Sequence, residues 1–391
     1  MFRIWAAQFL SIMGFAFALP FAAFFLQEDL GVSPGGELTM WVALFSASAA
    51  VTMGVAAPFW GMLADRYGKR IMLIRANLAG AVVMSLMGGV QTPQMLIVLR
   101  LLQGALTGTM TAAQAFLAGE MPRDRRGLAV GGLSAAVFSG SMSGAFLGGL
   151  VAHRLGYRMA FAISGVLLLA AGLLVLFGTR ETVPPAVRKA PGGGGRWSGM
   201  PRALFGVLTM IGAIALVRQS DMAFLPLLVQ DIHGSLDQAS LWSGWLYACG
   251  SVAGLVAGLA TGWLSDHVNP IRLMIGAAVL AAVFTGGQAG VHTFAVLFPV
   301  RFFAILCSGT LEPALNTWLA KRVPEGRQGV AFGLASTLRS AGWSLGPLVA
   351  GGVAAVNLRA VFGVAALGYA LLAVLFIWTL RSRGENSTTS P

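Results

Sequence analysis

Twelve long apolar blocks run through the chain, near 5–27, 39–64, 71–90, 95–118, 128–152, 158–178, 203–229, 241–265, 271–290, 294–319, 329–354 and 359–380. Each reaches the roughly 20 residues a helix needs to cross ~30 Å of hydrocarbon. Only 10% of residues are charged, against ~25% in a soluble domain, so a soluble fold could not cover its own surface. Lipid-exposed backbone must satisfy its own hydrogen bonds, which favours helices. A β-barrel would instead show ~10-residue alternating segments. The blocks predict an all-α membrane protein with twelve transmembrane helices. The 52 glycines suit that reading, because small residues let membrane helices approach closely.

The net charge of +12 raises nucleic acid as a partner, and its distribution argues against it. With the amino terminus placed in the cytoplasm, nineteen of the 26 Lys and Arg fall on the cytoplasmic side, and only Arg154, Arg158 and Arg359 on the other. This is the positive-inside pattern, with both termini cytoplasmic. The first block is too long for a cleaved signal and fits a retained span. Cys249 and Cys307 lie in spans as small apolar residues. No zinc or haem spacing occurs, so no metal or other cofactor is expected.

A Pro-, Gly- and Arg-rich segment at 179–202 reads as a cytoplasmic linker. It divides the chain into a bundle at 1–178 and another at 203–380, followed by a polar tail at 381–391. The halves are related. An offset of 201 pairs Trp41 with Trp242, Gly61 with Gly262, Asp65 with Asp266, Arg100 with Arg301 and Arg158 with Arg359. A drift to 202–203 pairs Gly144 with Gly346 and Gly148-Gly149 with Gly351-Gly352. A parallel duplication of six spans predicts two pseudo-symmetric six-helix bundles, an axis along the membrane normal and a site between the halves.

Three motifs carry the chemistry. The turn after span two reads GMLADRYGKR, with Gly61, Asp65, Arg66, Gly68, Lys69 and Arg70. Its glycines permit close helix approach and a tight turn, and its acid sits at a membrane edge among bases. A degenerate copy keeps Gly262 and Asp266. Span four carries Arg100, Gln103, Thr107, Thr111 and Gln114 on one helical face. Such a stripe faces either a water-filled cavity or a neighbouring helix. Span five has GSMSGAFLGG and span eleven GWSLGPLVAGG, as packing glycines or as a transport motif.

The first string resembles the G-x-L-A-D-R-x-G-R-K signature of the major facilitator superfamily. Arg100, Gln103 and Gly104 match its R-x-x-Q-G pattern, and the glycine runs resemble its antiporter motif, with Ala145 where proline is expected. Over nearly its whole length the chain is most similar to the twelve-span drug:proton antiporter branch, bacterial multidrug exporters in particular. The resemblance implies a conformational gate at the first motif, a cavity lined by spans one, four, seven and ten, and coupling to protons.

Ionisable groups inside spans are functional candidates by default. Here they are Arg100, Arg218, Asp221, Arg301, Glu312 and Arg339. Arg218 and Asp221, three residues apart, share a helix face and predict a pair serving as gate or substrate contact. Glu312 has no base three or four residues away. An unpartnered carboxyl in hydrocarbon favours its protonated form, so Glu312 is the candidate proton carrier. Arg339 is the candidate partner from another span; Arg301 lies ~16 Å away along the same helix. Alternatively both acids are structural ion-pair members. Asn316, Phe17 and Trp245 join the predicted cavity lining. Span one carries no acid inside, only Gln8, which disfavours recognition of cationic drugs there.

The sequence thus predicts a monomeric, multi-pass transporter of the inner (plasma) membrane that moves a small molecule by proton antiport, with the bilayer and protons as its other partners. An exporter of one metabolite or siderophore, a proton symporter importing a nutrient, and a non-transporting sensor remain alternatives. No motif supports an enzyme.

Overall fold

In a computed structural model, the structure describes residues 2–108, 113, 116, 126–180, 202–320 and 328–387. Thr111, Gln114 and nearly all of the predicted linker lie outside the described residues. The described chain forms twelve main helices: α1 Phe2–Glu28, α2 Gly36–Tyr67, α3 Lys69–Gly88, α4 Pro93–Leu106, α5 Arg126–Leu155, α6 Tyr157–Gly178, α7 Arg202–His233, α8 Ala239–His267, α9 Pro270–Gly287, α10 Phe294–Ala320, α11 Gln328–Ala354 and α12 Ala360–Ser387. Ten are long and apolar enough among the described residues to cross a membrane. The exceptions are α4, whose described part is short, and α11, diluted by Arg339 and by Ser and Thr.

Local chemistry sets the helix ends. Pro20 removes a backbone donor, and α1 tightens there into a 3-10 turn over Leu19–Phe21 before resuming. Thr92 accepts from the Met95 amide ahead of Pro93, and Asn269 from the Ile271 amide ahead of Pro270, as N-caps do before a first-turn proline. Gly68 ends α2 with φ +99, a conformation that disfavours a side chain. α12 runs on to Ser387, beyond the predicted end of the span at 380.

The packing repeats between the halves. α1 on α5 is matched by α7 on α11, α3 on α6 by α9 on α12, and α2 on α4 by α8 on α10. The halves meet through α5 on α8 and α2 on α11. The glycine motifs make these packings possible. A Cβ on Gly144 would lie 2.5 Å from the Met13 carbonyl oxygen of α1, and one on its counterpart Gly346 would strike the Leu216 carbonyl of α7.

Helix alternation gives the molecule a near face, where α1 begins, and a far face. The far side is closed across the two halves. One buried cluster there joins Phe21, Phe24 and Phe25 to Phe224, Leu228 and Phe362. Gln27 of α1 and Gln230 of α7 exchange reciprocal amide hydrogen bonds of 2.9 Å. Among the described residues, the near side is not joined this way. Its clusters are separate, one of Ile211, Leu311, Tyr369 and neighbours, the other of Ile4, Leu73, Val175 and neighbours. A Cβ on Gly54 would touch Ser340, and one on Gly254 would touch Phe138. Further toward the near face, a Cβ on Gly61 or Gly258 would meet no atom within 4 Å among the described residues. Among the described residues, no helix makes the close approach predicted at Gly61.

Candidate functional site

The charges of α7 and α10 pair differently from the local expectation. Asp221 is paired not with Arg218 but with Arg301 of α10, in an ion pair whose side chains are 6% and 4% exposed. Arg301 also donates to Gln288 Oε1 at 3.3 Å. Three residues along a helix are neighbours, but a long guanidinium can swing to another helix, and Arg218 does. Its Nη1 lies 3.8 Å from Glu312 Oε2. Arg339 of α11 brings Nε to 2.5 Å from Glu312 Oε1, so the predicted partner is present and the premise of an unpartnered Glu312 is wrong. No local sequence window could have revealed this, since the three residues come from three helices.

This trio differs in kind from the Asp221–Arg301 pair. Its side chains are 37% (Arg218), 22% (Glu312) and 23% (Arg339) exposed. Among the described residues α10 and α11 share at most a marginal contact, and Arg339 and Glu312 bridge them beside α7. Arg339 precedes Ser340, which meets Gly54. The trio therefore sits beside the seam between α2 and α11. Two guanidiniums share one carboxylate.

Arg100 has a different environment. Its Nε donates to the Phe45 carbonyl at 3.3 Å, its Nη1 donates to Gln103, and its guanidinium lies 4.7 Å over the Phe45 ring. It has no acidic partner among the described residues. The other described members of the α4 stripe make packing contacts. Gln103 is buried, Thr107 ends α4 with Oγ1 on the Gln103 carbonyl at 2.8 Å, and Gly104 admits the α2 backbone at Ala49. Of the described stripe, Arg100 alone reaches the cavity.

The cavity, of about 290 Å³, lies between the halves and is lined by Phe15, Phe45, Arg100, Ser141, Gln219 and Tyr247 together with apolar residues of α1 and α7. This is at the lower end of ~300–1,000 Å³ small-molecule sites. Phe17 and Trp245 do not line it. Phe17 is core, 4% exposed. Trp245 lies two residues before the lining Tyr247, about 200° around the helix, and meets Phe146 instead. Asn316, one turn nearer than Glu312, is half-buried and also outside the lining. The lining that the sequence reading missed had a faint signal: Gln219 is a polar residue within an apolar block. Ser251 of α8 reaches Ser141 of α5 at 3.2 Å, a contact only the fold discloses.

The motif turn is built on Gly68. Arg70 donates to the Leu176 carbonyl of α6, and Arg66 lies 5.4 Å over the neighbouring Tyr67 ring. Lys69 begins α3, while Asp65 and Asp266 lie on the last turns of α2 and α8. Behind the turn, Arg75 stacks on Trp60, whose indole donates to the Ala105 carbonyl at 2.6 Å. At the far face the aligned arginines act alike. Arg158 bonds Asp29 and the carbonyls of Gly88 and Val90, while Arg359 bonds Asp231 and the carbonyls of Ala289 and Val291. Among the described residues no cluster of His, Cys, Asp or Glu could hold a metal.

The model of the Major Facilitator Superfamily matches residues 4–287 and 210–391. Multidrug resistance protein MdtG of Yersinia enterocolitica is 32% identical over 385 residues, covering 97% of this chain and 93% of the relative. The protein of that name from Salmonella arizonae is 31% identical, covering 98% and 96%. Among solved structures, a point mutant of the nucleoside transporter NupG superposes with a TM-score of 0.80 at 15% identity, covering 96% of this chain and 98% of that one. A bacterial homologue of the human lysosomal transporter Spinster, in an inward-facing and occupied conformation, gives 0.76 at 15%, covering 97% and 96%.

Proposed function

Because the chain belongs to the major facilitator superfamily, as a multi-pass secondary transporter of small molecules and not an enzyme, we propose that it exchanges protons for small apolar or amphipathic compounds, drugs among them, by alternating access. The observation that carries the proton coupling is Glu312. Of the two in-span acids, Asp221 is sealed with Arg301, while Glu312 keeps its side chain 22% exposed between two guanidiniums. A proton arriving at Glu312 cancels its pull on Arg339 and Arg218, which loosens a bridge between α10, α11 and α7. Chemistry and movement are then linked at one carboxylate. The Arg301–Asp221 pair and Arg100 brace the helices around it, and the turn from Gly61 to Arg70 with Asp266 gates the near face.

The near face is assigned to the cytoplasm by the positive-inside bias, with both termini there, in the inner (plasma) membrane. The protein works as a monomer of two six-helix bundles, with the proton gradient as its energy source and no bound cofactor. The multidrug resistance relatives support drugs as the substrate class.

Glu312→Gln keeps shape and removes titration. In proteoliposomes with an imposed pH gradient, uphill substrate movement is expected to fall by about a hundredfold, while counterflow exchange without a gradient persists. Undiminished gradient-driven movement would sink the assignment.

A further inference from the structure

We propose that Arg218, Glu312 and Arg339 form the receiving site for the anionic head of an amphipathic substrate, a carboxylate or similar oxyanion. The proposal rests on the exchange reading above and names the substrate's charge. Its first support is a charge count. The trio holds two guanidiniums and one carboxylate. The nearby Asp221 is already matched by Arg301. Among the described residues, Arg100 at the cavity adds a second cation without an acidic partner, and no carboxylate lines that cavity. Cations taken out of water without counter-charge are costly, and an arriving anion relieves that cost where a cationic substrate would add to it.

The second support is geometry. The trio joins α10 to α11 and is partly exposed, whereas the Asp221–Arg301 pair is closed. Glu312 is held closely by Arg339 at 2.5 Å and loosely by Arg218 at 3.8 Å. Arg218 is therefore the guanidinium most available for a two-pronged hydrogen bond to an oxyanion. The next residue, Gln219, lines the cavity together with Phe15, Phe45 and Met222. Arg218 lies outside that lining, one residue along α7 from it, so a tail attached to a head at Arg218 has an apolar wall within reach.

The test uses the purified full chain and three naphthyl-hexyl probes that differ only in the head group: a carboxylate, its primary amide and a trimethylammonium. The expected result is carboxylate binding about tenfold tighter than amide, with trimethylammonium weakest. Arg218→Gln and Arg339→Gln should each cut that advantage to about threefold or less. Arg218→Lys and Arg339→Lys, which keep the charge, should retain a carboxylate preference, and they serve where a neutral variant does not fold. Equal binding of the probes, tightest binding of trimethylammonium, or no binding of any overturns the proposal. So does a carboxylate preference lost in Arg100→Gln but intact in all the variants at 218 and 339. Proteoliposomes separate the two readings. Carboxylate preferred but unmoved by a pH gradient removes the proton coupling and leaves this site. Amide driven by the gradient with no carboxylate preference does the reverse.

Discussion

The two halves share a scaffold and differ in what they bury. In the register that the shared packing contacts set, Asp221 answers to Ala18 and Arg218 to Phe15 at an offset of 203, Arg339 to Val137 at 202 and Glu312 to Thr111 at 201. Only Arg301 has a charged counterpart, Arg100. The carboxy-terminal half therefore holds both in-span acids and five of the six in-span charges. The amino-terminal half offers aromatic wall, a broken α1 and one arginine that leans on carbonyls and a ring. What the duplication kept is load transfer between helices: the glycine seams of α5 and α11, and the arginine clamps at 158 and 359. A repeat can thus preserve architecture on both sides while concentrating charge on one.

The sharpest break in that comparison is the buried pair. Asp221→Ala strands Arg301 in the membrane, with an expected loss of about 3–5 kcal/mol in thermal unfolding of the detergent-purified protein. Arg100→Met, its opposite number, should lose about 1 kcal/mol. Equal losses would mean that the halves are not asymmetric in the way described. An intermediate effect tests the shared scaffold. Gly144→Val and Gly346→Val each push a side chain into a neighbouring backbone, and each should cost about 1–3 kcal/mol. A large cost on one side alone would show that only one seam bears the packing. The smallest effect concerns the far-face clamps. Asp29→Asn and Asp231→Asn remove exposed ion pairs whose arginines keep their carbonyl bonds, so each should shift stability by about 1 kcal/mol or less, alike in both halves.

The twelve helices were legible because a bilayer imposes one length and one polarity on every span. The duplication was legible because rare residues, Trp, Asp and Arg, recur at one offset, and Arg158 with Arg359 proved to make the same three bonds. The site was legible in its members more than in its pairings. Arg218 and Asp221 sit three residues apart, yet each answers to α10, because side chains longer than a helix radius choose partners by tertiary position. Thr107 and Gln103 were polar for packing, and no periodicity separates that use from a wet cavity. Tyr247 and Trp245 are two residues apart on one helix. Which of them faces inward depends on how α8 is rotated against α5, and that is set by the Gly149–Gly244 approach.

The far-side cluster has a thermal consequence. It fuses Phe21, Phe24 and Phe25 with Phe224 and Phe362 across the midline, and any cycle that opens that side must wet part of it. Hydrating apolar surface raises heat capacity by about 0.45 cal/K/mol per Å². Each turnover then resembles a small, reversible unfolding event. Its activation enthalpy drifts with temperature, and the carrier inherits the curved temperature dependence that proteins show in their own stability.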